Sequence, residues 1–134
     1  MAAPRPMPRL DADNRPFWTG GAEGELRLMQ CQDCKTFIHP PRPVCRSCLS
    51  EQVRPVAVAG TGVVDTFTVN HQKWHPALEV PYVIARVAID GAPGVYLTTN
   101  IVGCPVEEVD IGDRVRVKFE QQGEIYFPLF EKLA

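Results

Sequence analysis

Four cysteines carry the clearest chemistry in the sequence. Cys31-Gln-Asp-Cys34 is followed, after ten intervening residues, by Cys45-Arg-Ser-Cys48. A C-x-x-C turn sets two sulfurs on one side of a tight knuckle, and two facing knuckles supply the four thiolates of a tetrahedral metal site. Residues 1–16, with prolines and charges in place of an apolar run, do not read as a secretory leader; a reducing compartment is the expectation, and disulfides are a weaker reading than metal or redox chemistry. A redox dithiol would leave the second pair unexplained. Structural Zn²⁺ on Cys31, Cys34, Cys45 and Cys48 is therefore the expectation, with an iron centre of rubredoxin type as the rival on the same ligands. All four positions would be filled by protein, which makes the ion a folding element and not a Lewis acid. The fifth cysteine, Cys104, stands alone before Pro105 and reads as a packed side chain.

Two other groups of side chains are candidates for contact with ligand or partner. His71-Gln-Lys73-Trp74-His75 sits in a long loop ending near Pro81-Tyr82. His71, Lys73, Trp74, His75 and Tyr82 could hold a ligand's phosphate or line a partner's tunnel; equally, the histidines could be solvated and Trp74 a lid. Phe17 and Trp18 read either as an anchor against their own ribbon or as docking residues, since aromatic side chains are enriched at interface centres. Arg42, Arg46 and Arg54 flank the knuckles, and Glu107, Glu108, Asp110 and Asp113 form an acidic stretch that reads as a solvated turn. No carboxylate pair with general acid and base spacing stands out. No catalytic residue is assigned.

The elements that must position these groups are short. Thirteen prolines in 134 residues argue for short elements and many turns, while ten glycines is an ordinary number. Residues 1–13, with Pro4, Pro6 and Pro8, read as a mobile tail. Asp13 or Asn14 before Pro16 would cap a short helix carrying Phe17 and Trp18. Strands are expected at 26–30 and 36–39 around the first knuckle. From residue 53 onward an alternating apolar pattern predicts strands at 53–59, 62–70, 82–89, 95–101, 114–120 and 125–130, separated by glycine turns. Residues 14–55 then form a helical element and ribbon, and residues 56–134 a small barrel. The fold class is mainly β.

Composition removes several functions. No run approaches the roughly 18 apolar residues of a membrane span, and the expected location is cytoplasmic. Zinc ribbons and OB-folds often bind nucleic acid, but a single-strand binder needs a positive groove with stacking aromatics. Residues 60–134 hold six Lys/Arg against ten Asp/Glu, so the barrel is acidic. A single-stranded nucleic-acid module is the rival from another class, and charge weighs against it.

In order, FW, a glycine-rich break, GELRLMQC-x-x-C, HPPRPVC-x-x-C, GTGVVDTFTVNH, PYVIARVAID and IGDRVRVKFE resemble the acyl-CoA-associated family that joins a rubredoxin-like zinc ribbon to an OB-fold. The resemblance spans roughly residues 14–131. Family knuckles often place glycine after the second cysteine, whereas Lys35 and Leu49 stand there in this chain. The resemblance implies a small, non-catalytic subunit in a hetero-oligomer with a thiolase-fold enzyme. In sterol-degrading bacteria similar domains are fused to, or act with, hydratase subunits and partner a thiolase-like aldolase. The implied role is to complete the partner's acyl-CoA site, with a CoA thioester as ligand of the complex. Cleavage of a carbon–carbon bond in a steroid side-chain thioester is the specific expectation, and an acetyl-CoA acetyltransferase complex is the alternative.

Overall fold

The structure, a computed structural model, describes residues 4–133. A short helix, α1 (Arg15–Thr19), runs directly into a 3-10 turn at Gly20–Glu23. Three strands follow: β1 (Leu26–Cys31), β2 (Phe37–Ile38) and β3 (Val53–Val58). They form an antiparallel sheet in the order β2-β1-β3. Five longer strands, β4 (Thr61–Asn70), β5 (Tyr82–Ile89), β6 (Tyr96–Val102), β7 (Arg114–Gln122) and β8 (Ile125–Lys132), close a barrel in the order β4-β5-β6-β8-β7. The mainly β expectation holds, and each strand predicted from alternation is present. The acidic stretch contains a 3-10 turn at Val106–Glu108. No helix among the described residues is long and apolar enough to cross a membrane.

β4 shows how one strand serves two neighbours. It pairs with β5 along its length and with β7 only at Thr61–Val63. Gly62 lies where both pairings meet, and a Cβ there would stand 2.4 Å from the Ala88 carbonyl oxygen, so no other residue fits. A register shift between Val64 and Thr66 adds one residue to β4. Such a bulge bends the strand and reverses which side chains face inward beyond it: Gly62 and Val64 are buried before it, Phe67 and Val69 are half-buried after it.

The seam between β6 and β8 is narrow. These strands are parallel and pair only at Ile101–Phe130 and Val102–Glu131. Below that the backbone pairing stops, and the Thr99 hydroxyl donates to the Pro128 carbonyl at 2.7 Å in its place.

One apolar core runs through both modules. Val64, Val83, Val87, Leu97, Val115 and Phe130 fill the barrel and are continuous with Phe17, Leu26 and Leu28. Burying each such side chain contributes about 1.5–3 kcal/mol. Ile125, Phe127 and Leu129, on the opposite face of β8, are covered by Leu10 and Trp18. The boundary expected between residues 55 and 56 falls inside β3, which pairs in the ribbon sheet while Val58 packs against the shared core.

The N-terminal segment lies against the barrel. Where the sequence predicts a mobile tail, the Arg5 backbone N–H donates to Gln122 Oε1 at 3.0 Å. Its guanidinium bonds Glu120 at 3.0 Å and Asn100 at 3.1 Å. Residues 1–3 of that tail lie outside the described residues. The turn into α1 is held by Asp11 and not by a cap from Asn14: the Asp11 carboxylate accepts the N–H groups of Asp13 and Asn14.

Candidate metal centre and ligand cleft

The two knuckles meet at the end of β1 and after the proline run. The sulfurs of Cys31, Cys34, Cys45 and Cys48 all lie within 4.8 Å of one another. Cys31 to Cys48 is 3.6 Å and Cys34 to Cys45 is 3.5 Å. With Zn–S bonds of about 2.3 Å, a tetrahedron has S–S edges of roughly 3.8 Å. The donor set therefore fits a closed tetrahedral site after a shift of tenths of an ångström. Cys31 and Cys45 are fully buried, packed with Met29, Ile38 and Val53.

The electrostatics of the cluster call for a cation. Hydrogen bonding to the Thr36 hydroxyl, then to its backbone N–H, lowers the Cys34 thiol to about 6. The backbone N–H of Cys34 is the main cause that lowers Cys31. Cys48 goes the other way: the Ser50 N–H lowers it, but the neighbouring sulfurs, Cys31 first, and desolvation together outweigh that and push it up to about 12. Four thiolates this close cannot all ionise without positive charge among them.

The residues after each knuckle take the left-handed conformation, with φ of 65° at Lys35 and 64° at Leu49. The Lys35 N–H donates to the Cys31 carbonyl and the Leu49 N–H to the Cys45 carbonyl, both at 2.9 Å. Departure from glycine thus leaves the knuckle geometry intact.

The β4–β5 loop spreads its candidates out. His71 and Lys73 are exposed, and Lys73 pairs with Glu79 at 3.3 Å. His75 Nδ1 accepts the Ala77 N–H at 3.0 Å. Trp74 is 76% exposed, and Tyr82 is half-buried at the start of β5. Cys104 is half-buried, with its thiol pushed up mainly by burial. In the acidic stretch Asp113 accepts the Asp110 N–H and pairs with Lys132.

Phe17 and Trp18 are turned toward their own chain. Their rings meet edge to face at 4.9 Å; Phe17 also packs on His39 at 5.1 Å, and Trp18 on Phe127 at 5.8 Å. Phe17 is only 7% exposed.

These rings form one side of a cleft of about 630 Å³ between the ribbon, the N-terminal segment and the stretch where β6 and β8 no longer pair. His39 to Arg42 form the ribbon wall, and Tyr96 to Asn100 the barrel wall. The loop at 71–81 contributes nothing to it. Sequence reasoning missed His39, Arg5, Tyr96 and Phe127 as cleft residues. A lone histidine between a strand and two prolines was the one local signal; the rest depends on tertiary packing.

A four-cysteine ribbon whose core continues into a five-stranded OB barrel defines the class: a two-module ribbon–barrel protein with a closed metal site. Residues 18–54 match "ChsH2, rubredoxin-like zinc ribbon domain", and residues 55–120 match "ChsH2, C-terminal OB-fold domain". The chain belongs to this ChsH2-type family, and its four cysteines are those of a zinc ribbon. It is 37% identical over 94% of its length to a probable enoyl-CoA hydratase alpha subunit of Thermomonospora curvata. It is 32% identical over 84% of its length to the 3-oxo-4,17-pregnadiene-20-carboxyl-CoA hydratase alpha subunit of Mycobacterium tuberculosis. The chain spans only 39% and 35% of those two relatives. Among solved structures, a chain of the Ltp2-ChsH2(DUF35) aldolase superposes with a TM-score of 0.83 at 35% identity, covering 96% of this chain and 100% of that one.

Proposed function

We propose that this protein is an auxiliary subunit that completes the acyl-CoA site of a thiolase-fold partner. The reaction is carbon–carbon bond cleavage in a steroid side-chain CoA thioester. The observation that carries this reading is the end-to-end match to a chain of an aldolase complex. A hydratase relative that names a pregnadiene carboxyl-CoA supports the substrate class. The partner supplies the reacting groups. This chain supplies a wall, with the exposed Trp74 and the neighbouring Lys73 and His71 as the loop that meets the partner or the thioester. Large aromatic side chains left in water are costly unless covered, and they commonly anchor interfaces. A hydratase subunit is a second candidate member of the same assembly.

The test is co-purification of the tagged chain from its host, with the recovered protein identified and assayed. The expected result is a thiolase-like enzyme whose lyase activity on a steroid acyl-CoA requires this chain, and whose association weakens at least tenfold in Trp74→Ala. Recovered acetyl transfer to acetyl-CoA would select the acetyltransferase alternative. Salt-sensitive binding to single-stranded DNA or RNA, with no such enzyme recovered, would overturn the reading.

A further inference from the structure

We infer that the cleft between ribbon and barrel is itself a binding site for a flat, apolar, carbonyl-bearing body. In terms of the function proposed above, on which this rests, that body is the acyl portion of the thioester, with the CoA nucleotide left outside. The size is right: about 630 Å³ falls within the roughly 300–1,000 Å³ of small-molecule sites. So are the walls, where Phe17, Trp18 and Phe127 form a connected set of rings and Tyr96, its ring under the Arg86 guanidinium at 3.8 Å, lines the barrel side.

Charge separates the two halves of an acyl-CoA. Arg5 is committed to Glu120 and lies over the Phe127 ring at 5.5 Å. Among the described residues Arg42 is then the one lining arginine without a carboxylate partner, and Asp11 and Asp13 line the same cleft. Two carboxylates against one such guanidinium do not make a site for a triply phosphorylated nucleotide. They leave an open cleft that is apolar along its rings, polar elsewhere, and slightly negative.

His39 is the handle nearest the rings. Its Nδ1 is enclosed with no hydrogen-bond partner. Burial keeps the imidazole neutral. The tautomer protonated on Nε2 leaves only a lone pair in the enclosed position and offers an N–H to a ligand carbonyl.

Trp74→Phe leaves Trp18 as the sole tryptophan and therefore a fluorescent reporter in the cleft wall. The probe is androst-4-ene-3,17-dione, a neutral steroid diketone, titrated into this full-chain variant. Saturable quenching of Trp18 is expected, with affinity at least tenfold weaker when Thr98→Phe is added. Thr98 is exposed on β6 and lines the cleft, so the fold should survive; zinc content and circular dichroism check this. His39→Phe, which keeps the wall but removes the donor, is expected to weaken the diketone several-fold. CoA alone should neither quench nor compete. Absence of saturable quenching, quenching that Thr98→Phe leaves unchanged, or competition by CoA would each overturn the assignment. If a thiolase-like enzyme is recovered but the diketone does not bind, the cleft proposal falls while the subunit reading stands.

Discussion

Lys35 and Leu49 hold φ of 65° and 64° at the point where each knuckle hands the chain on. For an L-residue the left-handed region costs roughly 1–2 kcal/mol, because Cβ crowds the neighbouring carbonyl. Glycine would remove that strain, but it would also free the unfolded chain by about 0.4–1 kcal/mol. The relief of strain is the larger effect. In zinc-loaded protein, Lys35→Gly should therefore raise unfolding free energy by about 0.5–1 kcal/mol, whereas Lys35→Ile, branched at Cβ, should lose about 1–2 kcal/mol. Urea melts read both, and equal losses would mean that the knuckle is not held in this conformation. The ligand set itself was legible from spacing, because the chemistry of a knuckle is contained in four consecutive residues. The left-handed positions were not, since Lys and Leu carry no mark of an unusual φ. His39 was illegible as a cleft residue for a different reason: its environment comes from Phe17, which the chain brings up from another element.

Most strands were read well because they keep one apolar face, and alternation needs no tertiary knowledge; β8, apolar on both faces, reads instead as a nearly continuous apolar run. What alternation could not give is the bulge in β4, the end of pairing between β6 and β8, or the docking of residues 5–10, which depend on how strands meet. A polar staple at one such meeting is testable. Asp90, at the end of β5, accepts the Thr61 hydroxyl at 2.7 Å from the start of β4 and two N–H groups of Arg114 from the start of β7, one at 3.1 Å. The Arg114 bonds, then the Thr61 bond, hold the Asp90 carboxyl below its ordinary value. A depressed carboxyl stabilises the fold fully above its unfolded pKa of about 3.9 and loses that contribution as pH falls through the lower folded value. Between pH 5.5 and 8 the contribution is constant. Asp90→Asn should lower the melting temperature by about 2–4 °C by the same amount throughout that range. Thermal melts at three pH values check this, and a gap that changes across them would assign the effect to another group.

The molecule as a whole is tied together along β1. One end of the strand, Met29 and Cys31, packs in the metal cluster, and the other, Leu26 and Leu28, belongs to the core that fills the barrel. A ribbon of this size cannot build a core of its own, so the metal stands in for one. Structural zinc sites carry apparent binding free energies of roughly 10–16 kcal/mol, comparable with the whole stability of a domain. The sequence divided the chain into a ribbon and a barrel, but did not show that they share side chains, because Leu26 and Leu28 read only as one face of a short strand. From the shared core we expect a chelator strong enough to strip zinc to lower the melting temperature by more than about 10 °C in a single transition. Calorimetry with and without the chelator decides it: two transitions, with the upper one at the original temperature, would mean that the barrel folds without the ribbon. The cleft extends the same argument to function. Its ribbon wall, His39 to Arg42, lies between the two knuckles in sequence, so the metal orders a binding surface that it does not touch, and stripping zinc should release the steroid diketone along with the fold.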